Sequence, residues 1–326
     1  MAAPRDSRPR VVVTRRIPHD GIVLLETFFA VDENTDDRPY TPDELAERAR
    51  DADALIALLT DRIDEPLLAR CPRLKIGANV AVGYDNIDVA AATRRGVAVS
   101  NTPGVLTDAT ADFAFTLLLA TARRVLAADR YVRAGRFQGW EMMGFLGGDL
   151  AGRTLGIAGF GRIGQAVARR GRGFGMEVIY ADEFPAAAAV EEELGARRVD
   201  KATLIASSDY LSLHLPLIAE TRHYIGEAEL LAMKRDAYLV NTARGPIVDE
   251  AALARALRSG QIAGAGLDVF EREPQVEPEL LELDNVVLAP HIASATVETR
   301  SKMALIAAET AIAAVSGATP PNLVRA

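Results

Sequence analysis

Short apolar runs alternate with stretches of helical period along this chain. Residues 11–14, 54–59, 74–79 and 97–100 read as strands buried on both faces, as in a parallel sheet. Between them 21–29, 64–69 and 87–95 read as helices. Another helix starts at Thr41, where Thr41 can cap, Pro42 fits the first turn and Glu44 can reach back. Asn101-Thr-Pro-Gly104 breaks the series, and 107–134, rich in Ala and Leu, predicts one long helix. The stretch 136–149 is irregular and holds the single tryptophan, Trp140. A second series follows, with strands at 155–158, 177–181, 210–213, 237–241, 263–267 and 286–288. Helices are expected between them at 203–207, 227–233 and 249–258, and a final one at 296–316. Strands alternating with helices predict α/β layers. The final helix follows the second block and could return to pack on the first.

One unit of the second series carries more than pattern. After the strand ending at Ala158 come Gly159, Gly161 and Gly164 in G-x-G-x-x-G spacing at the turn into a helix. The first glycine permits the tight turn, the second lets backbone approach a pyrophosphate, and the third lets helix and strand pack closely. The helix N-terminus offers unpaired N–H groups and partial positive charge to that pyrophosphate. The next strand ends in Asp182, eighteen residues past Gly164, where a carboxylate can accept hydrogen bonds from the hydroxyls of an adenine ribose. This is a Rossmann-type dinucleotide unit. Asp182 would also stand where the 2′-phosphate of NADP must sit, so NAD(H) is expected over NADP(H).

Composition narrows the class. The chain has 326 residues, enough for two domains, and is 49% apolar and 25% charged, so a core is expected. A net charge of −8 gives no footprint for nucleic acid or an anionic membrane. Arg5, Arg8 and Arg10 form a short basic patch interrupted by Asp6, and residues 1–10 read as a solvated, disordered tail. The single cysteine, Cys71, excludes an intrachain disulfide framework. With no apolar signal segment and no membrane span, a soluble cytoplasmic protein is expected. No zinc spacing and no nucleophile elbow occur, so no metal site is expected.

In open α/β sheets the ligand crevice lies beyond the carboxyl ends of the strands. Polar residues follow strands at His214-Leu-Pro216, Asn241-Thr-Ala-Arg244-Gly245, Asp268 to Glu273, and Pro290-His291. An enzyme moving hydride between nicotinamide and an alcohol needs a proton acceptor, for which histidine is suited. Of four histidines, His19 and His223 read as exposed. His214 and His291 both follow apolar strands, and spacing does not choose between them. Arg244 could hold a carboxylate through two parallel hydrogen bonds.

From residue 11 onward the chain resembles the D-isomer-specific 2-hydroxyacid dehydrogenases. The likeness rests on Asn79-Val-Ala-Val-Gly83-Tyr-Asp-Asn-Ile-Asp88, the glycine motif, Val240-Asn-Thr-Ala-Arg-Gly-Pro-Ile-Val-Asp249, Gly266-Leu-Asp-Val-Phe270 with Glu273-Pro274, and Ala289-Pro-His-Ile292. Within the family it is most similar to glyoxylate/hydroxypyruvate reductases, through Leu58-Leu-Thr-Asp-Arg-Ile-Asp64 and the stretch 101–110.

The resemblance implies a flavodoxin-like substrate domain from both chain ends (11–103 and 291–326) and an NAD-binding Rossmann domain between (104–290). It implies a homodimer and NADH-dependent reduction of small 2-oxo acids. It selects His291 as acid/base, with Glu273 as its partner and Arg244 on the substrate. Val80, Ala81, Val82 and Gly83 would offer backbone donors to the substrate carboxylate, and Trp140 would narrow the pocket of a dimer partner. Thr110, Arg162, Ile163, His214, Leu215, Pro216, Thr221, Thr242, Ala243, Arg244, Asp268, His291 and Ser294 would join the glycines and Asp182 around the cofactor. Phosphoglycerate dehydrogenases carry a phosphate-binding arginine where this chain has Thr60, which disfavours a phosphorylated substrate. The alternatives are that activity or a broader 2-hydroxyacid dehydrogenase, and, more remotely, an NAD-sensing corepressor-like binding protein.

Overall fold

The computed structural model describes residues 8–325. Contacts divide the chain into two compact units, residues 1–106 with 295–326, and residues 107–294. The boundaries read from sequence, after residues 103 and 290, fall a few residues earlier at both crossings.

The first unit is a parallel five-stranded sheet: β1 (Arg10–Val13), β2 (Ala30–Glu33), β3 (Ala54–Ala57), β4 (Ile76–Asn79) and β5 (Ala98–Ser100). Its order is β2-β1-β3-β4-β5, the flavodoxin-like arrangement. The central strands β3 and β4 are buried along their whole length, as their unbroken apolar runs require. The edge strand β2, Ala-Val-Asp-Glu, is only half-buried and lacks an apolar run, so pattern does not reveal it. Helices α1 (His19–Glu26), α2 (Pro42–Ala49), α3 (Glu65–Arg70) and α4 (Val89–Arg94) connect the strands. Thr41 and Glu44 form the expected reciprocal cap on α2, and Asp64 and Asp88 cap α3 and α4. The final helix, Val297–Ser316, returns to this unit and crosses α1 at Gly21, where a Cβ would come within 2.8 Å of the Ala304 methyl.

The solvated tail expected over residues 1–10 needs correction where it is described. Arg10 opens β1, its N–H donates to Asp53 Oδ2 at 2.8 Å, and its guanidinium meets Asp32 at 2.5 Å. Arg8 donates to the Glu26 carbonyl at 2.7 Å. Arg5 and Asp6 lie outside the described residues.

The second unit opens with α5 (Thr107–Ala122) and α6 (Val125–Arg133) where one helix was expected. Arg124 takes a left-handed φ of 52° and ends the first helix. The Ala122 carbonyl accepts Gly148 N–H at 3.1 Å, and a Cβ on Gly147 would fall 2.1 Å from that oxygen. The glycine-rich segment therefore closes against the helix end, a long-range contact invisible to periodicity.

Seven parallel strands follow: β6 (Thr154–Ala158), β7 (Glu177–Ala181), β8 (Ala196–Arg198), β9 (Tyr210–Leu213), β10 (Tyr238–Asn241), β11 (Gly264–Leu267) and β12 (Val286–Leu288). The order is β12-β11-β10-β9-β6-β7-β8, so the direction of winding switches between β6 and β9. Helices α7 (Arg162–Gly173), α8 (Ala188–Leu194), α9 (Lys201–Ser207), α10 (Glu227–Ala232), α11 (Glu250–Arg258) and α12 (Pro278–Leu281) cover the faces with α5. The short, charged α8 and β8 and the single-turn α12 are absent from the sequence reading because none presents an extended apolar face. The architecture is α/β with a Rossmann-type sheet in this unit.

Candidate active site

Six strand ends of the second sheet carry the expected residues. Gly159 follows β6, Asp182 follows β7, His214 follows β9, Thr242 to Arg244 follow β10, Asp268 follows β11 and His291 follows β12. The crevice beyond the β6/β9 switch is where an open parallel sheet binds its ligand.

Gly159 has φ 88°, and a Cβ there would come within 2.7 Å of the His214 carbonyl. A Cβ on Gly164 would meet the Gly159 oxygen at 2.2 Å, so α7 packs too closely on the turn for any side chain. Gly161, by contrast, has nothing within 4 Å of its added Cβ. That open space lies at the N-terminus of twelve-residue α7, which suits a pyrophosphate approaching backbone N–H groups. Arg162 and Ile163 form the first turn of α7, and Thr110 lies buried in the first turn of α5.

The Asp182 carboxylate is fixed by two backbone donors, Phe160 N–H at 2.6 Å and Phe184 N–H at 3.1 Å. Arg198 donates to the carbonyls of Asp182 and Glu183, at 2.7 and 2.9 Å, and so holds the same turn from outside. Thr221 binds the Pro216 carbonyl at 2.6 Å and accepts Ile218 N–H, stiffening the turn after His214 and Leu215. The Thr242 hydroxyl oxygen is buried with no hydrogen-bond partner among the described residues, as a group awaiting a ligand would be. These features fit a dinucleotide.

The two histidines that sequence left tied differ sharply. Burial of the His214 ring pushes its pKa down to about 3, and the ring meets the Ser212 hydroxyl at 2.8 Å. The His291 ring places Nδ1 3.0 Å from Glu273 Oε2. Partial burial pushes the Glu273 carboxyl up. The hydrogen bond and charge of His291, the Phe270 N–H at 3.0 Å and the charge of Arg244 outweigh that and hold it below the usual carboxylate range.

Three buried polar side chains hold these segments. Asn241 accepts Ala243 N–H at 3.0 Å and donates to the Arg244 carbonyl at 2.9 Å, shaping the turn from which the half-buried Arg244 projects. Asp268, wholly buried, accepts Ile292 and Ala293 N–H at 2.7 and 2.8 Å, while its carbonyl accepts His291 N–H at 2.8 Å. His291 itself has φ 56°, a left-handed conformation that such flanking bonds sustain. Burial raises the Asp268 carboxyl, and these two N–H donors oppose the rise. Glu250 accepts Glu271 N–H at 2.5 Å. Sequence pattern alone assigns no role to Asn241 or to Glu250.

In the first unit the Val80–Gly83 backbone forms a loop after β4. The Ala81, Val82 and Gly83 carbonyls accept from Thr102 N–H, Asn101 and Asn79, each at 2.8 Å. Val80 N–H donates to Ala57, whereas the N–H groups of Ala81, Val82 and Gly83 meet no acceptor among the described residues. Trp140, in the segment between α6 and β6, is 80% exposed beside exposed Met142 and Met143. Ser294 follows the Asp268-held turn and is half-buried. His19 is exposed as expected, while exposed His223 also meets Glu271 at 2.8 Å. No cluster of metal-ligating side chains and no helix long and apolar enough to cross a membrane occurs among the described residues.

Residues 115–293 match the family model described as D-isomer specific 2-hydroxyacid dehydrogenase, NAD binding domain. Glyoxylate reductase of Thermococcus litoralis is 54% identical over 321 residues, covering 97% of both chains. That of Aeropyrum pernix is 53% identical over 323 residues, covering 97% of this chain and 96% of its own. Among solved structures, a Thermus thermophilus protein superposes with a TM-score of 0.90 at 42% identity, over 97% of this chain and 100% of its own. An NADPH-dependent glyoxylate/hydroxypyruvate reductase from Sinorhizobium meliloti, in complex with NADP and malonate, gives 0.87 at 36%, over 98% and 97%. With a family model spanning more than half its length and near full-length relatives above 50% identity, the chain belongs to the D-isomer-specific 2-hydroxyacid dehydrogenases, oxidoreductases that use a nicotinamide dinucleotide.

Proposed function

We propose that this enzyme reduces small 2-oxo acids, glyoxylate and hydroxypyruvate foremost, to 2-hydroxy acids with NADH. The observation that carries the reading is the His291–Glu273 pair at 3.0 Å, within the electrostatic reach of Arg244. Glu273 occupies Nδ1 of the imidazole and leaves Nε2 to face substrate. A proton held at Nε2 passes to the carbonyl oxygen, general-acid assistance typically worth about 10² to 10⁴ in rate. Arg244 supplies planar donors that bind a carboxylate and orient the neighbouring carbonyl. The bound nicotinamide supplies the hydride that the carbonyl carbon receives. Names of relatives more than 50% identical support glyoxylate as the substrate.

NADH is favoured because Asp182, locked by Phe160 N–H, presents negative charge where a ribose 2′-phosphate would sit. The exposed apolar side chains of Phe137, Trp140, Met142, Met143 and Leu146 suit burial against a second copy, and we take the active form to be a homodimer.

Initial rates on a panel of 2-oxo acids, including glyoxylate, hydroxypyruvate and a phosphorylated hydroxypyruvate, test the proposal with NADH and NADPH in turn. Glyoxylate and hydroxypyruvate should give the highest kcat/KM, and NADH should exceed NADPH. Preference for the phosphorylated acid would turn the reading to a phosphoglycerate dehydrogenase. Absence of turnover on every acid would leave a binding protein.

A further inference from the structure

Glu250 stands at the first position of α11 and is only 3% exposed. The residues that follow on the buried face, Ala252, Leu253 and Ala254, are apolar, so a carboxylate here is costly unless it has a task. Its Oε1 accepts Glu271 N–H at 2.5 Å, while Oε2 is buried without a hydrogen-bond partner among the described residues. Burial raises its carboxyl and the negative charges of Glu271 and Glu277 raise it further, against the Glu271 N–H.

The braced peptide leads directly to the reacting pair. Phe270 N–H donates to Glu273 Oε1 at 3.0 Å, and Glu273 Oε2 meets His291 at 3.0 Å. The other face of that peptide rests on Gly245, whose added Cβ would lie 1.9 Å from the Phe270 carbonyl carbon. Close backbone contact thus ties the turn after Arg244 to the turn carrying Glu273. Outward, Glu271 is held by His223 at 2.8 Å and Arg222 at 3.3 Å, and Arg272 pairs with Glu277 at 3.1 Å. Those three pairs are exposed and solvated, so they restrain the loop weakly. The Glu250 bond is part-buried and its acceptor side chain is itself buried.

We propose that Glu250 is a positioning residue: by accepting the Glu271 N–H it fixes the turn through Phe270 so that Glu273 reaches Nδ1 of His291. This rests on reading His291 and Glu273 as the acid/base pair. Without the brace, Glu273 would sample positions away from the ring, and its effect on proton donation would fade although the residue remains.

The test is the pH dependence of kcat for glyoxylate reduction by the full-length enzyme and its Glu273→Gln, Glu250→Ala and Glu250→Gln variants. Thermal midpoint and KM for NADH are measured alongside. Glu273→Gln should move the alkaline limb toward lower pH, and Glu250→Ala should move it the same way with KM for NADH unchanged. Glu250→Gln keeps an oxygen acceptor and should restore the wild-type limb. The Glu250→Ala/Glu273→Gln double variant should show no further movement. Should Glu250→Ala fail to fold, Glu250→Asp, with its carboxylate withdrawn by one methylene, takes its place. A wild-type limb in Glu250→Ala, or an equally displaced limb in Glu250→Gln, overturns the positioning role while leaving the pair intact. An unmoved limb in Glu273→Gln overturns the acid/base reading, and the Glu250 role with it.

Discussion

The end of β9 and the end of β12 each present a histidine beyond the same sheet, in opposite surroundings. The His214 ring meets the Ser212 hydroxyl, and burial pushes its pKa down to about 3. His291 lies on a turn clamped by Asp268 and faces Glu273 through Nδ1. Both follow a short apolar strand, so what separates them comes from other parts of the chain. A histidine becomes a proton donor through the groups around it, and under the proposed function the difference is a carboxylate, Glu273, delivered by a loop braced at several points.

The largest expected effect breaks this comparison directly. His291→Gln should lower kcat for 2-oxo acid reduction by about 10² to 10⁴, the usual worth of general-acid assistance. His214→Gln should keep turnover within about tenfold of wild type, because a neutral buried ring supplies packing and no proton. Steady-state rates at saturating NADH check both. Next, Arg244→Lys should raise KM for the 2-oxo acid and lower kcat together, since an ammonium lacks the planar fork. A change in KM alone would confine Arg244 to binding.

Smaller effects sharpen the contrast. His214 titrates near 6.5 when unfolded but near 3 when folded, so between those values the unfolded chain binds a proton that the folded chain does not. That linkage leaves stability untouched above about 6.5 and erodes it as pH falls below. Replacing His214 by Gln should flatten the acid side of a thermal-midpoint profile. Smallest is Trp140→Ala, which should shift the ratio of kcat/KM between bulky and small 2-oxo acids by a few-fold, about 1 kcal/mol or less. An unchanged ratio would remove Trp140 from specificity.

Much of the fold was legible because its signals are local. The cap at Thr41 and the glycine turn at Gly159 each lie within a few residues of what they control. Gly164 needs no side chain because its own helix packs on its own strand. The break at Arg124 was not legible, because Gly147 and Gly148 impose it from more than twenty residues away. Glu250 shows the same limit at the site: the N–H group it accepts, that of Glu271, lies on another loop 21 residues away. Family resemblance chose His291 over His214. The Glu273 bond and the Asp268 clamp are the structural features on which the proposed role of His291 rests.

The central claim, that surroundings make one of these histidines a proton donor and keep the other neutral, is tested most directly by following the imidazole signals of the full-length protein by NMR between pH 5 and 9, on the scale where a free imidazole titrates near 6.5. Assignments come from the His214→Gln and His291→Gln variants. The account predicts that the His214 resonance stays at its neutral position throughout. A His214 signal that titrates inside this window would contradict it, because that ring could then carry the proton at physiological pH.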